Sequence, residues 1–473
     1  MKRSFMKFLF CVAGIVLSIS AAYAEQQASS EKFTFDYGAA FRLRQEVWHD
    51  AFDLDTLTTP PAPASITKDR NFFRFKTSLW GNMDFDKRFA LYTRITNEAK
   101  WYINDFIPIP RSDKQYESNL DEDELFFDNL RADAKNIFGL PVDIRIGRQD
   151  FIFTHGEGFL IMDGTPGDGS RSFFFNAVKA NIRFNEKNNL DLIYITDPMT
   201  DIYLPVLHSA RPPYGKVRLN TSNEQGFVAY GRSKLADTFS LEPYYMYKRE
   251  KAFGANPNLN LHTIGARAVF TPSGWKLRGE FAYQFGEYSG GRDRSGYGGY
   301  FFFGRKYEQV KTKPEFDIGV IYLSGDKNPA QNGVNDKHEG WDPLFSRWPM
   351  WSELFVFTLV PETAKDCATP AYWTNLIMLR TNVKLNFTPK TNLNLWYNYL
   401  WAAEKTNFTT GPFAPMFSND GKGRGHLPQI QLSHAFTKQV DGYLLYEYFF
   451  PGNFYSDKAR DAYFFRWQLQ VKL

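Results

Sequence analysis

The chain has 473 residues, of which 43% are apolar and 18% aromatic, with 46 Phe, 26 Tyr and 11 Trp. After the N-terminus no run of about 18 apolar residues occurs, which excludes a helical membrane span, and the aromatic load excludes low-hydrophobicity disorder. The 56 Lys and Arg against 52 Asp and Glu leave no global charge of the kind that marks a nucleic-acid partner.

The first element is a targeting segment. Lys2, Arg3 and Lys7 precede an apolar stretch from Phe8 to Ser20, and Ala22-Tyr23-Ala24 is a small-x-small cleavage site. The pattern predicts a secretory signal peptide over 1–24, with one domain over 25–473. Without the three basic residues the balance is 53 to 52, so any charge effect depends on where charges sit. Cys11 lies in the signal segment and Cys367 is the other cysteine, so no disulfide forms within 25–473.

From there the chain alternates apolar and polar residues in short runs, the signature of strands. Phe33, Phe35, Tyr37, Ala39, Phe41 and Leu43 share one face, while Asp36, Arg42 and Arg44 fall on the other. Trp275, Leu277, Phe281, Tyr283 and Phe285 alternate with Lys276, Arg278, Glu280 and Gln284. Leu393, Leu395, Tyr397, Tyr399 and Trp401 alternate with Asn392, Asn394 and Asn398. In the last run Tyr463, Phe465, Trp467, Leu469, Val471 and Leu473 oppose Arg466, Gln468, Gln470 and Lys472. An aromatic outer face with a charged inner face suits lipid outside and water inside. The terminal amphipathic strand reads as a signal for the outer-membrane barrel assembly machinery.

Connections alternate in length. Short turns near 84–88, 136–141, 185–189, 233–237, 271–274, 311–314, 388–391 and 437–442 are rich in turn formers. Between them lie nine longer connections, near 48–69, 102–123, 154–171, 197–223, 250–260, 288–297, 324–372, 402–426 and 451–461. The pattern predicts an all-β transmembrane antiparallel barrel of about eighteen strands in the outer membrane. Short turns face the periplasm and long loops the exterior. Alternation blurs over 197–233, 297–310 and 350–358.

Such a barrel holds an aqueous lumen, so function lies on the inward face. Parity points Arg42, Arg44, Arg74, Lys76, Arg94, Arg131, Arg145, Lys179, Arg183, Arg267, Arg278, Arg380, Lys384 and Arg466 inward. The inward acids include Asp36, Glu98, Asp133, Asp143, Glu280, Asp317 and Glu447. Rings of Arg and Lys pass anions, and Arg grips carboxylates bidentately. The competing reading is that these groups brace the wall as ion pairs. Arg148 is expected in the same set only if a bulge at Gly147 turns it inward, because strict parity aims it at lipid.

Several motifs recur in a fixed order. Ile144-Arg145-Ile146-Gly147-Arg148-Gln149 ends a strand; Arg171-Ser172-Phe173 and Phe175-Asn176-Ala177-Val178-Lys179 follow. Later come Ser324-Gly325-Asp326, Asp342-Pro343-Leu344-Phe345, and Glu447 ahead of Pro451-Gly452-Asn453-Phe454-Tyr455. In this order the motifs resemble the bacterial alginate-export porin family over nearly the whole chain. Asn176 and Lys179 depart from that family's Asp and Arg. The resemblance implies an eighteen-stranded outer-membrane barrel with an arginine-rich constriction that passes alginate outward.

Loops 154–171 and 324–372 are long enough to fold inward as a gate or plug. Asp163, Asp168, Asp326, Asn328 and Asp336 do not match a calcium-loop spacing, and the scattered histidines predict no metal site. No nucleophile elbow or P-loop is present, so neither an enzyme nor a cofactor is expected. The sequence reads as a passive channel with a basic lumen for an anionic polysaccharide. The alternatives are a general or small-anion porin on the same scaffold, and a plugged, surface-binding barrel.

Overall fold

The computed structural model describes residues 33–56, 69–103, 120–162, 174–209, 220, 222–252, 257–328, 337–346, 348–358, 373–407, 409 and 413–473. The expected signal peptide, Cys367, Asp163, Asp168, Asp336 and the Arg171-Ser172-Phe173 motif lie outside these residues.

The strands in chain order are β1 Phe33–His49, β2 Arg70–Phe85, β3 Phe89–Tyr102, β4 Leu120–Ala134, β5 Val142–Gln149, β6 Ile161–Met162 and β7 Phe175–Asn185. Next come β8 Asn188–Asp197, β9 Val206–Ser209, β10 Glu224–Ala236, β11 Phe239–Glu250, β12 Leu259–Phe270, β13 Trp275–Tyr288 and β14 Asp293–Lys306. The last are β15 Glu315–Leu323, β16 Phe345–Ser346, β17 Leu376–Thr388, β18 Thr391–Trp401, β19 Gly423–Ala435, β20 Val440–Pro451 and β21 Ala462–Lys472. Helix α1 spans Glu353–Thr358.

Eighteen of these strands form a closed antiparallel barrel, each paired with its neighbour in the chain. The exceptions are β6, β9 and β16, which belong to loops. The seam closes where β1 meets β21, from Ala40 opposite Lys472 to His49 opposite Tyr463. The expected count and the alternation of short and long connections both hold. The β2–β3 turn shows why the short side is tight. Asp86 and Lys87 take φ of 56° and 57° and Arg88 N donates to the Phe85 carbonyl at 3.1 Å, the primed turn that matches strand twist.

Side chains alternate as the pattern requires. Tyr37, Leu79, Phe281 and Phe301 project outward and are exposed, while Thr263, Gln284 and Asn398 on the inner face are fully covered. They are covered because two long connections fold against the inner wall. Phe159, Leu160, Trp341, Leu344, Phe345, Trp351, Leu354 and Phe355 come from the β5–β7 and β15–β17 connections and form part of one buried cluster with wall residues. The blurred stretches now have causes. In β14, inward Gly298 leaves room for the Trp341 ring; an added Cβ would meet Trp341 Cε3 at 2.7 Å. Residues 350–358 hold α1 rather than a strand. Within 197–223, β9 reaches back over β5 and β7 to pair with the outer end of β4.

Candidate channel lumen

Register places the basic residues of three consecutive wall strands in rows. Arg44 on β1 lies directly opposite Arg74 on β2, and Arg74 lies opposite Lys100 on β3. One step toward the periplasmic turns, Arg42 opposes Lys76, and Lys76 opposes Glu98. Gln468 and Gln470 of β21 extend the two rows across the seam. Across β1 to β3 these rows hold five cations and Glu98; on β4 they meet Asp121 opposite Lys100 and Glu124 opposite Glu98, and Glu46 lies 3.6 Å from Arg44. Like charges directly opposite each other on a sheet cost stability. Arg44, Arg74 and Lys100 are 8%, 1% and 5% exposed. Arg44 Nε donates to Gln468 Oε1 at 2.6 Å, Lys76 Nζ pairs with Glu98 at 3.1 Å, and Arg74 and Lys100 lie 5.7 and 5.3 Å from the Phe72 ring.

Around the rest of the wall, from β8 to β21, inward side chains hold the infolded connections. Glu157 of the β5–β7 connection lies 3.1 Å from Arg267 on β12 and 3.0 Å from Arg278 on β13. His155 Nε2 lies 3.0 Å from Asp191 on β8, and burial pushes its pKa below the usual histidine value. In the β15–β17 connection, Asp342 meets Lys248 Nζ at 2.9 Å. Burial opposes ionisation of Asp342, but Lys248 and Arg294 outweigh it and hold its pKa down. Glu447 on β20 accepts hydrogen bonds from Ser352 Oγ and from the backbone N–H of Glu353 and Leu354, capping α1. Glu353 pairs with Arg466 on β21 at 2.6 Å; burial raises its pKa and Arg466 resists the rise. The two connections meet where β6 and β16 pair in parallel, Ile161 with Phe345 and Met162 with Ser346.

The family model for alginate export matches residues 32–468. The chain belongs to the alginate export family. It is accordingly an outer-membrane β-barrel of a channel family. Among solved structures it is similar to OccAB1 of Acinetobacter baumannii, with a TM-score of 0.56 and 9% identity over 93% of this chain and 96% of that one. It is also similar to OccK2 (OpdF) of Pseudomonas aeruginosa, with a TM-score of 0.55 and 10% identity over 93% of this chain and 98% of that one. At such identities these likenesses show the fold. No curated protein matches the sequence.

Within this barrel, most remaining members of the expected basic set are braced by wall acids. Arg94 pairs with Asp128 at 2.8 Å and Asp150 at 3.0 Å. Arg131 and Arg145 share Asp133, Lys179 is 3.8 Å from Asp191, and Arg183 pairs with Asp143. Arg267 and Arg278 also hold Glu242 and Asp317. Arg380 donates to the Trp351 carbonyl and to Asn398 and Gln429. Glu280 accepts from the hydroxyls of Tyr244 and Tyr300, both at 3.0 Å.

Arg148 corrects the expectation of a lumenal cation. The ladder runs through Gly147 without a register shift, so Arg148 stays in the row of outward Leu130. It is 2% exposed, pairs with Asp201 at 2.8 Å and donates to Asn176 and the Phe127 carbonyl. Its charge fastens the β8–β10 connection to the wall. Asn176 and Lys179, the two departures from the family pattern, sit on β7 beside this fastening and beside Asp191 respectively.

Sequence reasoning missed Arg232, Lys248, Arg294 and Arg424. Arg232 donates to the Thr154 carbonyl, Arg294 to the Gly340 carbonyl and Arg424 to the Asn375 carbonyl, so all three grip loop backbone. Strand parity with Tyr230 and Met246 would have found Arg232 and Lys248. At the outer end of β1, His49, Asp50 and Asp69 bring possible ligand atoms within 4.8 Å of one another. The His49 ring there bonds Asp69 and lies against Tyr463.

Proposed function

We propose that this protein is a passive outer-membrane channel that exports an anionic, alginate-like polysaccharide along a basic lumen. The observation that carries the reading is the pair of rows joining Arg44, Arg74 and Lys100 and, beside them, Arg42 and Lys76. A cluster of cations on one stretch of the wall raises the local potential toward anions, and guanidinium groups match carboxylates bidentately. Contacts at several stations, each weak, keep a polymer moving. Family membership favours the same substrate class. We read residues 1–24 as its secretory signal and 25–473 as one barrel domain, inserted by the barrel assembly machinery. A small-anion porin is the second reading, favoured by the many braced cations and by the loops that fold against the wall.

Planar-bilayer recording under a salt gradient tests this, with oligomannuronate added to the periplasmic side. Anion-selective current with concentration-dependent block is expected, and Arg44→Gln with Arg74→Gln should reduce both. An unchanged reversal potential in that double variant refutes the role of the rows. Selective current that oligomannuronate never blocks moves the assignment to a small-anion porin.

A further inference from the structure

We propose that the periplasmic mouth carries a sugar-binding platform built on Trp80 and Tyr92, which captures a pyranose unit of an acidic polysaccharide before it reaches the cation rows. The inference rests on the channel reading above and adds a binding station to it.

Near the short-turn end, a cavity of about 610 Å³ is lined by inward Asp36, Trp80, Asn82, Tyr92 and Arg131 and, where it wraps the rim of β1, by outward Phe35 and Tyr37. Register explains the grouping. Asp36, Asn82, Tyr92 and Arg131 stand in one row across β1 to β4. Trp80 lies in the adjoining row, opposite Gly38 and Arg94. With strands about 4.8 Å apart, the row extends about 14 Å, longer than a single sugar ring.

Trp80 and Tyr92 are stacked, with ring centroids 6.2 Å apart and planes 21° apart. Trp80 can lie flat because its neighbour is glycine; a Cβ on Gly38 would meet Trp80 Cζ2 at 2.6 Å. Both rings are only partly buried. Arg131 sits over the Tyr92 ring at 4.0 Å. Its Nε and Nη1 bond Asp133 and Asn129, while Nη2 makes no hydrogen bond among the described residues.

The chemistry is that of carbohydrate recognition. An aromatic face takes the apolar C–H face of a pyranose, and side-chain amides and carboxylates take the hydroxyls around its edge. Asp36 and Asn82 supply an acceptor and an amide; neither side chain makes a hydrogen bond among the described residues. Arg131 at the other end of the row offers a guanidinium to the sugar carboxylate. The acid and the base at opposite ends orient a uronate, carboxylate toward β4 and hydroxyls toward β1.

Calorimetric titration of the full chain in detergent separates this proposal from the channel reading. The probes are hexamannuronate and a neutral hexaose, and the proteins are wild type, Trp80→Ala, Trp80→Tyr, Arg131→Gln and Arg44→Gln/Arg74→Gln. Trp80→Ala should weaken both sugars about tenfold, Trp80→Tyr should retain most of the affinity, and Arg131→Gln should weaken the uronate alone. Wild-type affinity in Trp80→Ala, with weakening in Arg44→Gln/Arg74→Gln, overturns the platform and leaves the channel reading intact. Binding of the neutral hexaose alone overturns the proposal, because a platform that orients a uronate through Arg131 must take the acidic sugar. No binding of either sugar to wild type overturns both.

Discussion

Replacing Glu157 with Gln tests whether ion pairs hold the β5–β7 connection against the wall. Glu157 contacts Arg267 and Arg278 at 3.1 and 3.0 Å and retains 27% side-chain exposure. A hydrogen bond to a charged group is worth ~1.5–3 kcal/mol when shielded, and partial exposure reduces each toward ~1 kcal/mol. Both arginines keep their wall acids, Glu242 and Asp317, so the variant strands no buried cation. The loss is therefore that of the loop contacts themselves, about 1–2 kcal/mol, since Gln keeps a neutral acceptor. At 1.4 kcal/mol per factor of ten, the detached population should rise about tenfold. Hydrogen exchange of amides 151–162 should quicken by that factor, and open dwell times in single-channel records should lengthen. Unchanged exchange would refute the reasoning and assign the hold to aromatic packing, where Phe159 stacks on Trp341 at 5.1 Å.

Two further outcomes are expected. His155 is buried among Asp191, Lys179, Arg232, Tyr230 and Phe151, with its pKa lowered chiefly by desolvation. A histidine with a depressed folded pKa gives stability above its unfolded value of 6.5 that is lost as the pH falls. Acidification below about pH 6 should therefore loosen the connection and raise channel opening, and His155→Gln should abolish that response. Glu447→Ala leaves the Ser352 hydroxyl and two helix N–H groups of α1 without their acceptor. The cost is about 3 kcal/mol, so amides 353–355 should exchange on the order of a hundredfold faster while the wall strands stay protected.

Much of the barrel was legible because a wall strand obeys a period of two. Asp36, Arg42 and Arg44 could be assigned to one face from spacing alone, and the turn formers fixed where each strand reversed. The partners of those residues were not legible, because they depend on which strands and loops meet. Nothing local to Arg278 predicts Glu157, which lies 121 positions away. The same applies to Arg466 and Glu353, separated by 113 positions. Arg148 was misjudged for a related reason. Parity gave its outward side correctly, but only the fold shows that the β8–β10 connection supplies Asp201 there. Gly298 of β14 helped to blur the pattern because it answers to the bulk of Trp341 on a distant loop rather than to the strand's own alternation.

The parallel pairing of β6 with β16 has a kinetic meaning. The connections it joins spring from strand pairs nearly across the barrel from each other, β5 with β7 and β15 with β17. Linked by that two-residue ladder and by the shared Phe159, Trp341 and Trp351 packing, the described parts of the two connections pack as one body rather than as two independent flaps. Such a body leaves the wall as a unit. Conductance should then step between a few well-separated levels instead of showing two uncorrelated flickers, and substitutions in the two connections should combine non-additively.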